Sequence, residues 1–186
     1  MLTDPSSEVG VGDEVYMEGD VYSDMLFTYG VKTVVDAQGT RVPVELALGG
    51  KLVGVLFTSA NGSDPVAKGV AFTDRLESLA AANKDTFAVL YVSQDKLEPE
   101  MTEFLSRHPS FFALPFEDKN TGETLKEALG AMEMFFPTLM VLDTTGMCIS
   151  TWGRSAVMWN PKYCLMDWKN GREGVTTSQL LLHRFF

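Results

Sequence analysis

Cysteine is scarce in this sequence. Cys148 and Cys164 are the two thiols among 186 residues. Two cysteines make neither a disulfide framework nor a zinc set, and a reducing cytoplasm fits such usage best. Histidine is equally scarce. His108 precedes a proline and His183 stands near the end, with no serine or cysteine arrangement around them that would make a hydrolytic triad. Positive charge is short as well: 15 Lys and Arg stand against 25 Asp and Glu, a formal net charge of −10. A chain of that sign is a poor match for nucleic acid, whose binding rests on neutralised phosphates, and for anionic membrane surfaces. No apolar run is long enough to span a bilayer. The opening MLTDPSSEV has neither a basic nor an apolar stretch, so no secretory leader is expected. No glycine signature that cradles a phosphate is present, and neither a cofactor nor a metal is expected.

What is present suits one domain with a proper core. Seven acids (Asp4, Glu8, Asp13, Glu14, Glu18, Asp20 and Asp24) precede the first base, Lys32. Residues 1–12 read as a solvated tail. From about Val21 an ordered, docked segment is expected, because Val21, Tyr22, Met25, Leu26 and Phe27 are apolar. VKTVVDAQGTRVPV reads as a β-hairpin around AQGT, and ELALGGK as its closing turn. Lys51–Ser59 and Thr86–Val92 are continuous apolar runs of the kind found in buried strands. Between them, Asp64–Asn83 reads as a helix. Asp64 suits the N-cap, Pro65 the first helical position, and Val66, Val70, Leu76, Leu79 and Ala80 trace one face. Gly69 would then weaken that helix by about 1 kcal/mol relative to alanine. Glu98–Arg107 is an amphipathic helix ended by His108-Pro109. Phe111–Phe116 is extended, and Glu123–Leu129 is a short helix closed by Gly130. Thr138–Leu142 and Met147–Thr151 form a hairpin around DTTG. Val157–Asp167 is helical or irregular, and Ser178–Phe186 is a very apolar helix. This order predicts an α/β fold, a mixed central β-sheet flanked by helices, with an N-terminal β-hairpin and extra terminal segments.

Several phrases carry a resemblance. They are FALPFED (Phe112–Asp118), FPTL (Phe136–Leu139), AFT (Ala71–Thr73), VSQD (Val92–Asp95) and Arg154 after the late hairpin. In this order and spacing the chain, from about Leu26 to Asp167, resembles the tryparedoxin and nucleoredoxin branch of the thioredoxin superfamily. The resemblance implies a thioredoxin-like domain over residues 21–168. An acidic N-terminal segment, 1–20, precedes it, and a C-terminal extension with an apolar helix, 169–186, follows it. It also implies a dithiol reductase whose Trp-Cys-Pro-Pro-Cys loop opens a helix after the first buried strand, beside a cis-proline. The first cysteine of such a loop attacks a disulfide and the second resolves it.

Here the sequence departs from the pattern. Aligning the strand end places Asn61, Gly62, Ser63, Asp64 and Pro65 where that loop belongs; aligning AFT places Pro65–Gly69 there, four residues on. Neither register contains a cysteine, so the family's catalytic residues do not carry over. Asp64 can instead satisfy the donors of the helix start. An anion-binding nest at Asn61-Gly62-Ser63 is the less usual reading of such a loop. Pro137, between Phe136 and Thr138, matches the family's cis-proline, beside which a partner chain pairs in the manner of strand addition.

The remaining candidates have plainer readings. Cys148, between Met147 and Ile149, reads as a small buried hydrophobe, and Cys164 as an inert thiol. Asp143 is a turn former. Glu117 and Asp118 are adjacent in a loop, a poor geometry for a paired acid site. Trp152, Trp159, Trp168 and Tyr163 offer either a recognition surface or packing on the sheet. The resulting expectation is a thioredoxin-fold protein without the redox-active dithiol. It would serve as a non-catalytic protein-binding or regulatory module, with a groove formed by Asn61, Gly62, Ser63, Asp64, Phe136, Pro137 and Thr138. The alternative is an atypical single-thiol oxidoreductase or redox sensor using Cys164 or Cys148. A third reading is a structural subunit that docks through its two ends. The expected partner is a protein of unknown identity. The C-terminal helix is expected to dock on the body or, failing that, to make a homodimer.

Overall fold

The computed structural model describes Leu26 and residues 29–176. The acidic opening and the helix expected at Ser178–Phe186, with His183, lie outside the described residues. The hairpin β1 (Thr33–Val35) and β2 (Arg41–Pro43) leads into helix α1 (Val44–Leu48). Strand β3 (Leu52–Thr58) follows, then a small hairpin of β4 (Val66–Ala67) and β5 (Val70–Ala71), then α2 (Phe72–Ala82). Next come β6 (Phe87–Ser93), α3 (Glu98–Arg107), β7 (Phe111–Ala113) and α4 (Lys119–Leu129). A 3₁₀ turn at Glu133–Phe135 precedes β8 (Thr138–Leu142), β9 (Cys148–Ser150), α5 (Gly153–Trp159) and α6 (Cys164–Lys169).

Among the described residues seven strands form one sheet in the order β2-β1-β7-β6-β3-β8-β9. β3, β6 and β7 run parallel, while β1, β2, β8 and β9 join antiparallel, so the sheet is mixed. All seven residues of β3 are buried. The two-residue alternation of a strand sends them to opposite faces. Leu52 and Leu56, with Phe87, Val89, Tyr91, Leu139 and Val141, pack under α2, α3, α5 and α6. Val53, Val55 and Phe57, with Ala88, Leu90, Met140 and Leu142, pack under α1 and α4. Helices thus cover both faces, as the run of β-branched and aromatic residues implied.

Several boundaries differ from expectation, among them Val157–Asp167, which is two helices, α5 from Gly153 and α6 to Lys169. ELALGGK is not a turn, because Val44, Ala47 and Leu48 share a buried face and wind as α1. The helix after β3 begins at Phe72 and not at Asp64. Lys68 and Gly69 both hold positive φ, 53° and 74°, which is the type I′ geometry that closes a two-residue hairpin. Val66 and Val70 accordingly lie exposed on that hairpin and do not line a helix face. Gly69, taken above for a weak point inside a helix, is the residue that makes the turn. The helix before the 3₁₀ turn begins at Lys119, four residues ahead of Glu123, and ends at Gly130 with φ 68° as expected.

α5 lies so close to β8 that a Cβ on Gly153 would sit 2.6 Å from the Leu139 carbonyl oxygen and 2.9 Å from its Cγ. Backbone cannot yield there as a flexible side chain can. Gly153→Ala is expected to lower unfolding free energy by about 2 kcal/mol, the usual scale of overpacking. Urea unfolding measures it, and a change indistinguishable from zero would refute the close approach.

Candidate functional site

The loop after β3 is held by carboxylates. Ala60 N–H donates to Asp95 Oδ1 at 2.8 Å, while Asp95 Oδ2 accepts from Tyr91 Oη at 2.6 Å and Ser93 Oγ at 2.7 Å. Asp95 is buried, and three donors compensate its lost hydration. Burial, and then the hydrogen bond to Asp95, pushes the Tyr91 phenol well above its ordinary range. Gly62 N–H closes a turn on Ser59 O at 3.0 Å, and Phe72 N–H returns to Pro65 O at 2.8 Å. Asn61 Nδ2 donates to Glu100 Oε1 at 3.1 Å, and the other oxygen of Glu100 accepts Leu97 N–H at the start of α3.

Asp64 caps α2 from a distance. Its Oδ1 accepts Thr73 N–H at 3.3 Å and its Oδ2 accepts Thr73 Oγ1 at 2.5 Å. The expected partner, a free donor at the helix start, is therefore correct, but nine residues separate the cap from the residue it caps. The intervening chain is the β4–β5 hairpin. The fixed carboxylate lies at the positive end of the helix, where a second anion would be repelled.

A second cluster surrounds Pro137. The Phe136–Pro137 peptide is cis. Phe136 stacks on Phe57 of β3 with ring centres 6.3 Å apart. Arg154 Nη1 spans the proline, donating to Phe135 O at 2.9 Å and Pro137 O at 3.0 Å. Beside it opens a cleft of about 540 Å³ bordered by Met132, Phe135, Pro137, Thr138, Trp152 and Arg154. Met132, Phe135 and Trp152 are exposed there. Residues 61–65 do not border this cleft; they turn instead toward α2 and α3. The groove expected from the sequence thus divides in two. Pro137 and Thr138 belong to the cleft, Phe136 packs under it, and Asn61–Pro65 form a separate, carboxylate-tied loop. Met132 and Phe135 were missed because an apolar residue is expected inside; Trp152 was named for either a recognition surface or packing on the sheet, and VSQD and Arg154 were flagged by the resemblance.

The other candidates have definite places. Cys148 is exposed, not buried as expected, because β9 is the last strand of the sheet among the described residues. Partial burial and the nearby Glu173 still raise its thiol above the ordinary value. Cys164 is buried against the sheet, and burial pushes its thiol up to about 11. His108 is buried, stacked on Phe111 and bonded through Nδ1 to Phe104 O at 2.8 Å. Asp143 accepts Thr145 N–H and Met147 N–H, as a turn former does. Glu117 pairs with Arg41 across the sheet edge, while Asp118 begins α4. Trp168 packs on Phe87, whereas Trp152, Trp159 and Tyr163 are exposed. Among the described residues no group of three or more His, Cys, Asp and Glu could hold a metal ion, and no helix is long and apolar enough to cross a membrane.

The sequence profile described as thioredoxin-like matches residues 49–148, from just before β3 into β9. The chain belongs to the thioredoxin-like family. Within it, the zebrafish (Danio rerio) nucleoredoxin is 32% identical over 125 residues, 66% of this chain and 28% of that protein. A probable nucleoredoxin 3 of Oryza sativa subsp. japonica is 29% identical over 160 residues, 81% of this chain and 31% of that protein. The chain therefore spans less than a third of the curated relatives it matches. Among solved structures, tryparedoxin II from C. fasciculata superposes with a TM-score of 0.63 at 25% identity, covering 77% of this chain and 97% of its own. This thioredoxin-like frame accordingly falls in the tryparedoxin and nucleoredoxin branch. Its loop between β3 and α2, residues 59–71, has no cysteine.

Two measurements test this description. Alkylation with iodoacetamide is expected to modify Cys148 alone in the folded protein, with a rate that keeps rising above pH 9, because the reactive thiolate forms late. A plateau near pH 7, or modification of folded Cys164, would contradict the arrangement. Asp64→Ala is expected to cost about 1 kcal/mol in urea unfolding, the scale of a lost helix cap, and Asp64→Asn should retain part of that, since its amide oxygen can still accept Thr73 N–H.

Proposed function

We propose that this protein is a redox-silent thioredoxin-like module of the cytoplasm that binds a partner protein through the cleft at Pro137. The observation that carries the reading is the contrast between its two clusters. The loop that holds the dithiol in the family pattern has no thiol, and its Asp64 takes one backbone donor of the helix start, Thr73 N–H. The cis-proline cleft stays open and presents Met132, Phe135 and Trp152 to solvent.

The mode of recognition follows from the hydrogen bonds. Phe136 N–H is already bonded to Glu133 O at 3.1 Å, and Pro137 has no N–H to give. Arg154 spends Nη1 on two carbonyls. Main-chain pairing of the strand-addition kind is thus short of a donor at this point. Affinity must come chiefly from apolar and aromatic side chains of the partner entering the cleft, with Trp152 the leading anchor.

The competing reading, a single-thiol reductase or sensor, draws on the exposure of Cys148. Its raised pKa and its place on the edge strand, with no base beside it in the hydrogen-bond pattern, speak against fast exchange near neutral pH. Reduction of insulin by dithiothreitol separates the two. A rate equal to the protein-free background is expected for the wild type, and a clear acceleration abolished by Cys148→Ser would establish the thiol enzyme. For binding, a random peptide library panned on the full chain should enrich apolar and aromatic sequences, with enrichment falling at least tenfold on Trp152→Ala. Equal enrichment on Trp152→Ala and Phe135→Ala would remove the cleft from the function.

A further inference from the structure

A second groove lies between α2 and the α5–α6 corner, and it shares no residue with the cleft at Pro137. It measures about 320 Å³ and is bordered by Val70, Arg75, Leu79, Ala82, Val157 and Pro161. Val157 is buried and Leu79 half-buried, while Val70, Ala82 and Pro161 are exposed. Ser78 and Asn83 also border the groove, but Ser78 Oγ and Asn83 Nδ2 donate to the Asp74 and Leu79 carbonyls of α2.

Arg75 is the exception. Its Nη2 donates to Ala67 O, its Nε is buried without a hydrogen-bond partner, and its Nη1 is neither bonded nor buried. Among the described residues no carboxylate pairs with it, whereas Arg41 pairs with Glu117 and Arg172 with Asp167. That is unusual in a chain of net charge −10. Asp74 is its neighbour in sequence, and adjacent residues on a helix do not face each other. The Glu77 carboxylate is taken by Ser110 N–H. A guanidinium keeps its charge when half-buried, so the groove holds a cation that has lost water and gained no counter-ion.

We propose that this groove is a binding site for a small aliphatic carboxylate. The carboxylate accepts from Arg75 Nη1, and the hydrocarbon chain lies over Leu79 and Val157 between Val70 and Pro161. The carboxylate returns a charge-assisted bond to the guanidinium, and the chain removes apolar surface from water. One base borders the groove, which suits a single negative charge better than a phosphate dianion. The volume falls at the small end of ligand pockets, which suits a short chain better than a folded partner. This site is independent of partner binding at Pro137.

Amide NMR on the full chain tests it, with octanoate as the probe and 1-octanol and octylamine as its neutral and cationic counterparts. Octanoate is expected to shift residues 70–83 and the α5–α6 corner, and to bind about tenfold more tightly than 1-octanol, the scale of one charge-assisted bond. Octylamine should bind more weakly than either. Arg75→Gln should abolish the advantage of octanoate and leave 1-octanol unchanged, while Leu79→Asp should weaken both. The comparison of the three probes on the wild-type chain decides the matter even if a variant does not fold. Equal binding of octanoate and 1-octanol, or shifts centred on the Pro137 cleft, would overturn the proposal. So would an acetylated Glu-Leu-Leu peptide that binds the groove more tightly than octanoate, because a protein segment would then be the occupant. Shifts in residues 70–83 that follow protein concentration alongside a dimer mass would overturn it in favour of a second copy.

Discussion

Strand β3 has no face toward water, and the rest of the molecule is arranged to keep it that way. Its neighbours β6 and β8 satisfy its backbone on both sides. Its alternating side chains then demand a helical layer above and another below, since a buried strand's apolar residues need partners on each face. α2 and α5 answer on one side, α1 and α4 on the other. The terminus of such a strand is where a chain must leave the sheet. The loop at residues 59–65 is therefore positioned by the most rigid element present, whatever chemistry it carries.

The two clusters near that terminus have different economies of hydrogen bonding. Around Asn61–Pro65 nearly every polar group meets another from within the chain: Asp95 holds Ala60, Asp64 holds Thr73, and Glu100 holds Asn61 and Leu97. Around Pro137 the Phe136 N–H and the carbonyls of Phe135 and Pro137 are likewise bonded within the chain, but Met132, Phe135 and Trp152 are exposed. One cluster is closed and polar, the other open and apolar. A partner of the proposed kind would gain by covering the second and would have to break existing bonds to engage the first.

Much of this was legible in the sequence, for physical reasons that differ by element. β3, β6 and β8 announce themselves as short continuous apolar runs. α3 was read to its boundaries because Glu and Pro at one end and Arg-His-Pro at the other mark both ends. α2 was extended too far because Asp64, Pro65, Val66 and Val70 imitate a helix start at helical spacing. What decides otherwise is the positive φ of Lys68 and Gly69, which a spacing pattern does not report. α1 was missed because five residues give less than two turns of periodicity. Cys148 was misplaced because its flanking Met147 and Ile149 suggest a core, whereas its exposure goes with β9 being the last strand of the sheet among the described residues, a property no local pattern reports. The cleft was legible only at Pro137 and Thr138: nothing in AMEMFF says which of its apolar residues the turn leaves outside.

The tether of Ala60 to Asp95 has a bearing on where this protein can work. A loop pinned by thiols changes shape as its disulfide forms and breaks, so its surface is a function of the local reduction potential. The loop here is pinned by carboxylates, whose hydrogen bonds neither gain nor lose electrons. Without a cysteine between residues 59 and 71 no disulfide can form within this loop, so the tether from Asp95 does not itself depend on the local reduction potential.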